Sequence, residues 1–188
     1  MTRKYTQLMF TESVKQTQAD FGSRKAGVKA ENREMDDEHL SSSEIDFIAE
    51  RDGFYQASVN GDGWPYVQFR GGPPGFLKAL DDVTLAYGDY SGNRQFVSVG
   101  NLRENDRAAL LFMDYANQRR LKIMVRTEVH TAEERPDLVA LVKDPDYSGR
   151  IERVIVFAVE AFDWNCPLHI TPRFTQAEWQ AKSSDPLD

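Results

Sequence analysis

From Phe54 onward the apolar residues recur at every second position, the spacing of a strand with one buried face. Phe54–Val59 and Trp64–Phe69 follow this period on either side of Asn60-Gly61-Asp62-Gly63, a segment with the composition of a hairpin turn. Pro65 stands near the start of its strand, where a missing N–H is tolerable. Val83–Asp89, the continuous apolar run Ala108–Met113, the alternating Leu121–His130 and the long Ile151–Phe162 predict four more strands. Helical spacing appears elsewhere. Val14, Gln18 and Phe21 share a face of a helix over 8–20, and Ser41 with Glu44 forms a capping-box signature before Ile45, Phe47 and Ile48. Further helices are expected over 93–103, 133–142 and 176–182, and the mixed-charge run 19–39 predicts a solvated helix or arm. Six strands without regular β-α alternation predict a mainly β fold with flanking helices, an antiparallel barrel in place of a doubly wound sheet. Residues 1–50 read as a helical extension packed on a barrel domain of residues 51–188.

Composition narrows the function classes. A chain of 188 residues, 40% hydrophobic and 28% charged, supports a substantial core. A net charge of −7 argues against salt-driven nucleic-acid binding, which needs a basic face. One cysteine, Cys166, excludes an intrachain disulfide, and no apolar run approaches the length of a membrane span. With no apolar signal segment at Met1–Tyr5, the expectation is a cytoplasmic protein without membrane or nucleic-acid partners.

Two segments carry candidate chemistry. Gln68-Phe69-Arg70-Gly71-Gly72-Pro73-Pro74 combines open backbone with a stiffened exit, as either a surface turn or a lining for a flat ring. An isoalloxazine would use such backbone donors and acceptors along its pyrimidine edge. Ser91, Asn93, Arg94 and Gln95 bring hydroxyl, amide and guanidinium donors to a strand-to-helix handover, which suits a phosphate or a capped, solvated loop. Arg119, Arg120 and Lys122 make the densest basic cluster. Trp164, Cys166, His169 and Arg173 follow the last strand, and Cys166 reads as a structural thiol. His39, His130 and His169 lack ligand spacing, so no metal is expected, and no G-x-S-x-G segment supports hydrolase chemistry.

The stretch Gly63–Val129 resembles the central block of the FMN-binding split barrels of the pyridoxamine 5'-phosphate oxidase type, with Gly63-Trp64-Pro65-Tyr66 matching the family's G-x-P-Y start. Toward a branch described as flavin-nucleotide-binding, the resemblance extends from about Phe10 to Phe174. It implies a six-stranded split barrel, a homodimer and one FMN in each groove between subunits. Gln68 to Pro73 then fall on the flavin strand, Tyr87 on the ring edge, Asn93 and Arg94, joined by Gln95 and Ser98, on the phosphate, and Arg120 on the family's amide position. Trp164 and Arg173 match residues donated by the second subunit. Departures are specific: Gln68 replaces an Arg, Pro73 replaces a Lys, Asn93-Arg94 replaces a basic pair, and Leu168 precedes His169 where the oxidases carry a substrate-binding Arg. The resemblance therefore implies an FMN-dependent oxidoreductase working through flavin N5 but not on pyridoxamine phosphate, with Arg70 and His169 as substrate contacts. Rival expectations are a non-catalytic flavin store or sensor, a barrel for deazaflavin or haem, and an interaction module with an empty groove.

Overall fold

The computed structural model describes residues 3–183. Seven strands form one antiparallel sheet: β1 (Gly53–Val59), β2 (Pro65–Gly71), β3 (Lys78–Ala79), β4 (Thr84–Tyr90), β5 (Arg107–Asp114), β6 (Arg119–Thr131) and β7 (Ile151–Trp164). Their order is β2-β1-β5-β6-β7-β4-β3. The predicted six strands are all present; the seventh, β3, is a two-residue strand paired through Lys78↔Ala86 and Ala79↔Leu85, too short to show a period. The β1–β2 hairpin closes as its sequence demands: Asn60 Oδ1 accepts from the Asp62 and Trp64 amides, and Gly63 takes φ +87°.

The sheet curls until its ends approach. Arg70 on β2 reaches Asp89 on β4, and the Tyr87 hydroxyl on β4 donates to Gln56 Oε1 on β1 at 3.1 Å, although neither pair of strands is hydrogen-bonded through its backbone. The gap between β2 and β4 is the split of the barrel. Its interior is aromatic. Phe54, 1% exposed, lies 5.3–6.3 Å from the rings of Phe76, Tyr87, Phe112 and Phe157. Burying this cluster removes a large apolar area from water and is the main driving force for closure.

Helices cover what the barrel leaves open: α1 (Lys4–Met9), α2 (Glu12–Asp20), α3 (Arg24–Glu31), α4 (Ser42–Ala49), α5 (Val97–Glu104), α6 (Pro136–Val142) and α7 (Gln176–Ser183). The helix expected over 8–20 divides at Phe10, because Thr11 caps a new helix by accepting from the Val14 amide. Part of the charged run folds as α3, held by an Arg24–Glu31 ion pair. The Ser41–Glu44 capping box is present as expected. α6 begins at Pro136 rather than Glu133, with the proline in the first turn. Leu138 and Val142 of α6 cover Ala86 and Val154, so β4 is buried on both faces.

The N-terminal segment is pinned by charge. Arg3, 7% exposed, donates to Asp37 and Asp163, and Asp37 also accepts from the Lys4 and Tyr5 amides. Lys122 Nζ donates to the Tyr5 hydroxyl, so α1 is tied to β6 as well as β7.

Candidate functional site

At the open seam lies a cavity of about 190 Å³, walled by β2, the end of β4, residues 92–99 and Arg153 of β7. Strand alternation decides which residues of β2 reach it. Tyr66, Gln68 and Arg70 face the cavity, while Val67 and Phe69 point outward, 60% and 52% exposed. Tyr66 donates to Gln68 Oε1 at 2.6 Å, and the Gln68 amide donates to the Phe69 carbonyl at 3.2 Å, which fixes the Gln68 side chain.

Asp89 organises the floor. Its buried carboxylate accepts from Arg70 Nη1 at 3.3 Å and from Arg153 Nε at 2.8 Å, so one anion holds two guanidiniums apart. The Arg153 guanidinium also lies 4.9 Å from the Phe96 ring and pairs with Glu152. A hydrogen bond from Ser91, more than Arg153, holds the Glu152 carboxyl below its ordinary range.

The strand-to-helix handover differs from its sequence expectation. Residues 93–96 are not helical; Arg94 (φ 60°) and Phe96 (φ 55°) take left-handed conformations, and α5 starts only at Val97. Neither side chain favours this region, so the turn carries backbone strain of a kind found at ligand-binding loops. Asn93 Oδ1 supports it by accepting from the Gln95 amide at 3.1 Å. No side chain caps α5, whose first residues Val97, Ser98 and Val99 line the cavity. Their amides are the orphan donors of a helix start. α5 itself is anchored by Asn101, whose buried amide donates to Ser58 Oγ on β1 at 3.1 Å. Helix-start amides, the Ser98 hydroxyl and the guanidiniums of Arg70, Arg94 and Arg153 thus line one cavity, a donor set chemically suited to an anion.

Of the residues singled out from the sequence, Gln68, Arg70, Asn93, Arg94, Gln95 and Ser98 therefore converge on one cavity. Ser91 stands at its edge beside Glu152. Phe69 instead packs on Tyr55 on the outer face, 5.4 Å between rings. Gly71 ends β2, and Gly72 is required by packing, since a Cβ there would lie 2.6 Å from Phe76. Tyr87 sits in the core beneath Arg70, 2% exposed, and burial pushes its phenol pKa up.

Arg120, Trp164, His169 and Arg173 gather at the other end of the barrel. The Trp164 indole donates to Glu44 Oε1 at 2.7 Å and packs edge-on against Phe47 at 4.7 Å. Arg120 donates to the Cys166 carbonyl, His169 takes φ 65°, and Arg173 lies 5.1 Å from the Tyr115 ring beside a separate cavity of about 420 Å³. Arg153 and Trp164 are eleven residues apart on β7, roughly 35 Å along the strand. Tyr66, Asp89 and Arg153 are cavity residues that sequence reasoning missed; only the β4–β7 pairing, Asp89↔Arg153, brings the last two together. Among the described residues, no three His, Cys, Asp or Glu side chains could share a metal ion, and no helix is long and apolar enough to cross a membrane.

The split, antiparallel barrel defines the fold class, and the sequence agrees with it. The profile of the Pyridoxamine 5'-phosphate oxidase family matches residues 45–163, well over half of the chain, and the protein belongs to that family. No curated protein matches the chain by sequence. A putative pyridoxamine 5'-phosphate oxidase from Lactobacillus delbrueckii superposes with a TM-score of 0.54 at 18% identity, covering 69% of this chain and 97% of that one. HupZ from Group A Streptococcus superposes with a TM-score of 0.51 at 15% identity, covering 72% of this chain and 99% of that one. These solved structures share the fold.

Proposed function

We propose that the protein binds FMN as a homodimer and works as a flavin-dependent oxidoreductase on a substrate other than pyridoxamine 5'-phosphate. The observation that carries this is the strained, uncapped entry into α5, which sets Arg94, Ser98 and free amides around one cavity. In a family whose members bind flavin, that cradle would hold the cofactor phosphate. Gln68 and the β2 backbone would meet the ring edge, with Arg70 above the floor. The flavin supplies hydride or electron transfer at N5 when bound. The protein's own residues anchor the phosphate, orient the ring and exclude water.

Two features support a second subunit. The cavity is smaller than the roughly 300–1,000 Å³ usual for cofactor sites, so one protomer would leave much of a flavin uncovered. The outer face of β1, β2 and β5 also presents exposed Val67 and Phe69, next to an apolar groove of about 480 Å³ lined by Ala57, Ala109 and Met124. Pairing two such faces would let Trp164 of one protomer approach the cradle of the other, whereas within one chain it stands some 35 Å along β7 from Arg153. Gln68, Pro73 and Leu168 stand where the oxidases hold basic residues, which is why the B6 phosphate is excluded from the proposal.

A store or sensor is the second reading, favoured by one observation. Asp89, the only carboxylate among the described residues lining the cavity, is committed to two arginines and is not free to move a proton. The visible spectrum of the purified protein, with mass identification of released chromophore, tests the shared claim. Flavin absorbance with FMN released supports it; a colourless protein that ignores added FMN overturns it. Turnover with a reduced nicotinamide donor then separates enzyme from store.

A further inference from the structure

The cradle does not end at Phe96. Beyond that ring a second recess of about 390 Å³ opens between the end of β6 and the start of β7, and Arg94, Phe96 and Arg153 line both spaces. Arg150 adds a third guanidinium to the recess, and Glu133 and Glu152 add carboxylates. Their commitments differ. Arg153 and Glu152 pair with each other at 3.2 Å, and Arg153 is further held by Asp89. Arg94 lies 5.8 Å from the Phe96 ring and its charge helps to hold the Glu152 carboxyl down, but neither Arg94, Arg150 nor Glu133 forms a direct ion pair among the described residues. In a chain of net charge −7, this recess brings three guanidiniums to one concave surface, a local excess of positive charge over its two carboxylates that favours an anion.

We propose that this recess is a second phosphate-binding subsite, built for the phosphorylated ribose of a nucleotide. Arg94 and Arg150 would grip the phosphate, and Glu133 would accept a ribose hydroxyl, the task a carboxylate performs in dinucleotide sites. Arg94 would stand between the two phosphates as the shared ligand. The proposal rests on the flavin reading and extends it. One chemistry has two sources here: the distal half of a flavin dinucleotide continuing from the first cavity, or the diphosphate of a separate nucleotide bound beside FMN.

Flavin fluorescence titrations with FMN and FAD, and calorimetric titration of ADP into the FMN-loaded protein, separate these sources. If the subsite extends the cofactor, FAD binds at least about tenfold tighter than FMN, the worth of one charge-assisted contact. If it serves a second molecule, FAD shows no gain and ADP binds the FMN-loaded protein. In either case Arg150→Gln, an exposed loop substitution, removes the gain and leaves FMN affinity unchanged. The subsite is overturned if FMN binds but neither arm shows a gain, or if the gain survives Arg150→Gln. Failure of both flavins to bind would instead overturn the flavin reading and the subsite together.

Discussion

Replacing Asp89 by asparagine should make the protein less stable and a better anion binder, two effects of opposite sign from one lost charge. The carboxylate is 9% exposed and its partners Arg70 and Arg153 are 19% and 16% exposed. Removing one member of a fully buried pair costs about 3–5 kcal/mol. Here both guanidiniums keep some water, Arg153 keeps Glu152 at 3.2 Å, and asparagine still accepts one hydrogen bond. About 2 kcal/mol is therefore expected, or roughly 4–8 °C in Tm for a chain of this size. The same change removes a negative charge from the cavity that would hold a phosphate. At roughly 7–10 Å in an effective dielectric of about 20 that repulsion is worth about 2 kcal/mol, and about 1 after salt screening. FMN affinity should accordingly rise about fivefold. Thermal melts without flavin and fluorescence titrations at about 0.1 M salt read the two effects separately. An unchanged Tm would show that Asp89 does not bear the two arginines, and a lower Tm with weaker FMN binding would make Asp89 a direct support of the phosphate site.

Arg94→Ala should weaken FMN binding by about 1.5–3 kcal/mol, seen as a rise in Kd by titration; an unaltered Kd would move the phosphate elsewhere. Trp164→Ala removes the indole bond to Glu44 and the Phe47 contact, so it should cost about 3 kcal/mol in denaturant unfolding. If Trp164 also crosses the subunit interface, sizing and absorbance should show loss of dimer and flavin, whereas retention of both would confine it to the α4 contact. Phe54→Ala empties the centre of the aromatic cluster and should cost about 3–5 kcal/mol, with a smaller value showing that the barrel collapses around the void. Burial raises the Tyr87 pKa, so its stabilisation is fully present below the unfolded tyrosine value near about 10 and is lost as pH climbs above it toward the folded value. Tyr87→Phe should therefore flatten the alkaline fall in unfolding free energy between about pH 9.5 and 11.5; identical slopes for both proteins would place the phenol in water.

Local pattern was enough for much of this protein. Period-two runs in 54–69 bury one face of a hairpin, and the registers Val59↔Pro65 to Gly53↔Gly71 follow from the Asn60–Gly63 turn. Ser41 and Glu44 announce their helix because a capping box is satisfied within one helical turn. The polar cluster at 91–98 was legible as a group because its members are adjacent in sequence, and Asn93, Arg94, Gln95 and Ser98 do line one cavity. What sequence did not decide depends on residues far apart in the chain. Tyr87 and Asp89 share one face of β4, so alternation could not tell that the first lies in the aromatic core while the second, further along the strand, reaches the cavity. Arg153 joins the site only because β7 pairs with β4, and Trp164 meets Glu44 across 120 positions. The left-handed turn at Arg94 and Phe96 runs against local preference, so beyond the local Asn93 bond it is held by tertiary contacts such as the Arg153–Phe96 stack and the Asn101–Ser58 anchor. Sequence alone set the strands, the caps and the donor types; the curl of the sheet decided which donors share one cavity, because closure is fixed by packing between strands and not by neighbours in the chain.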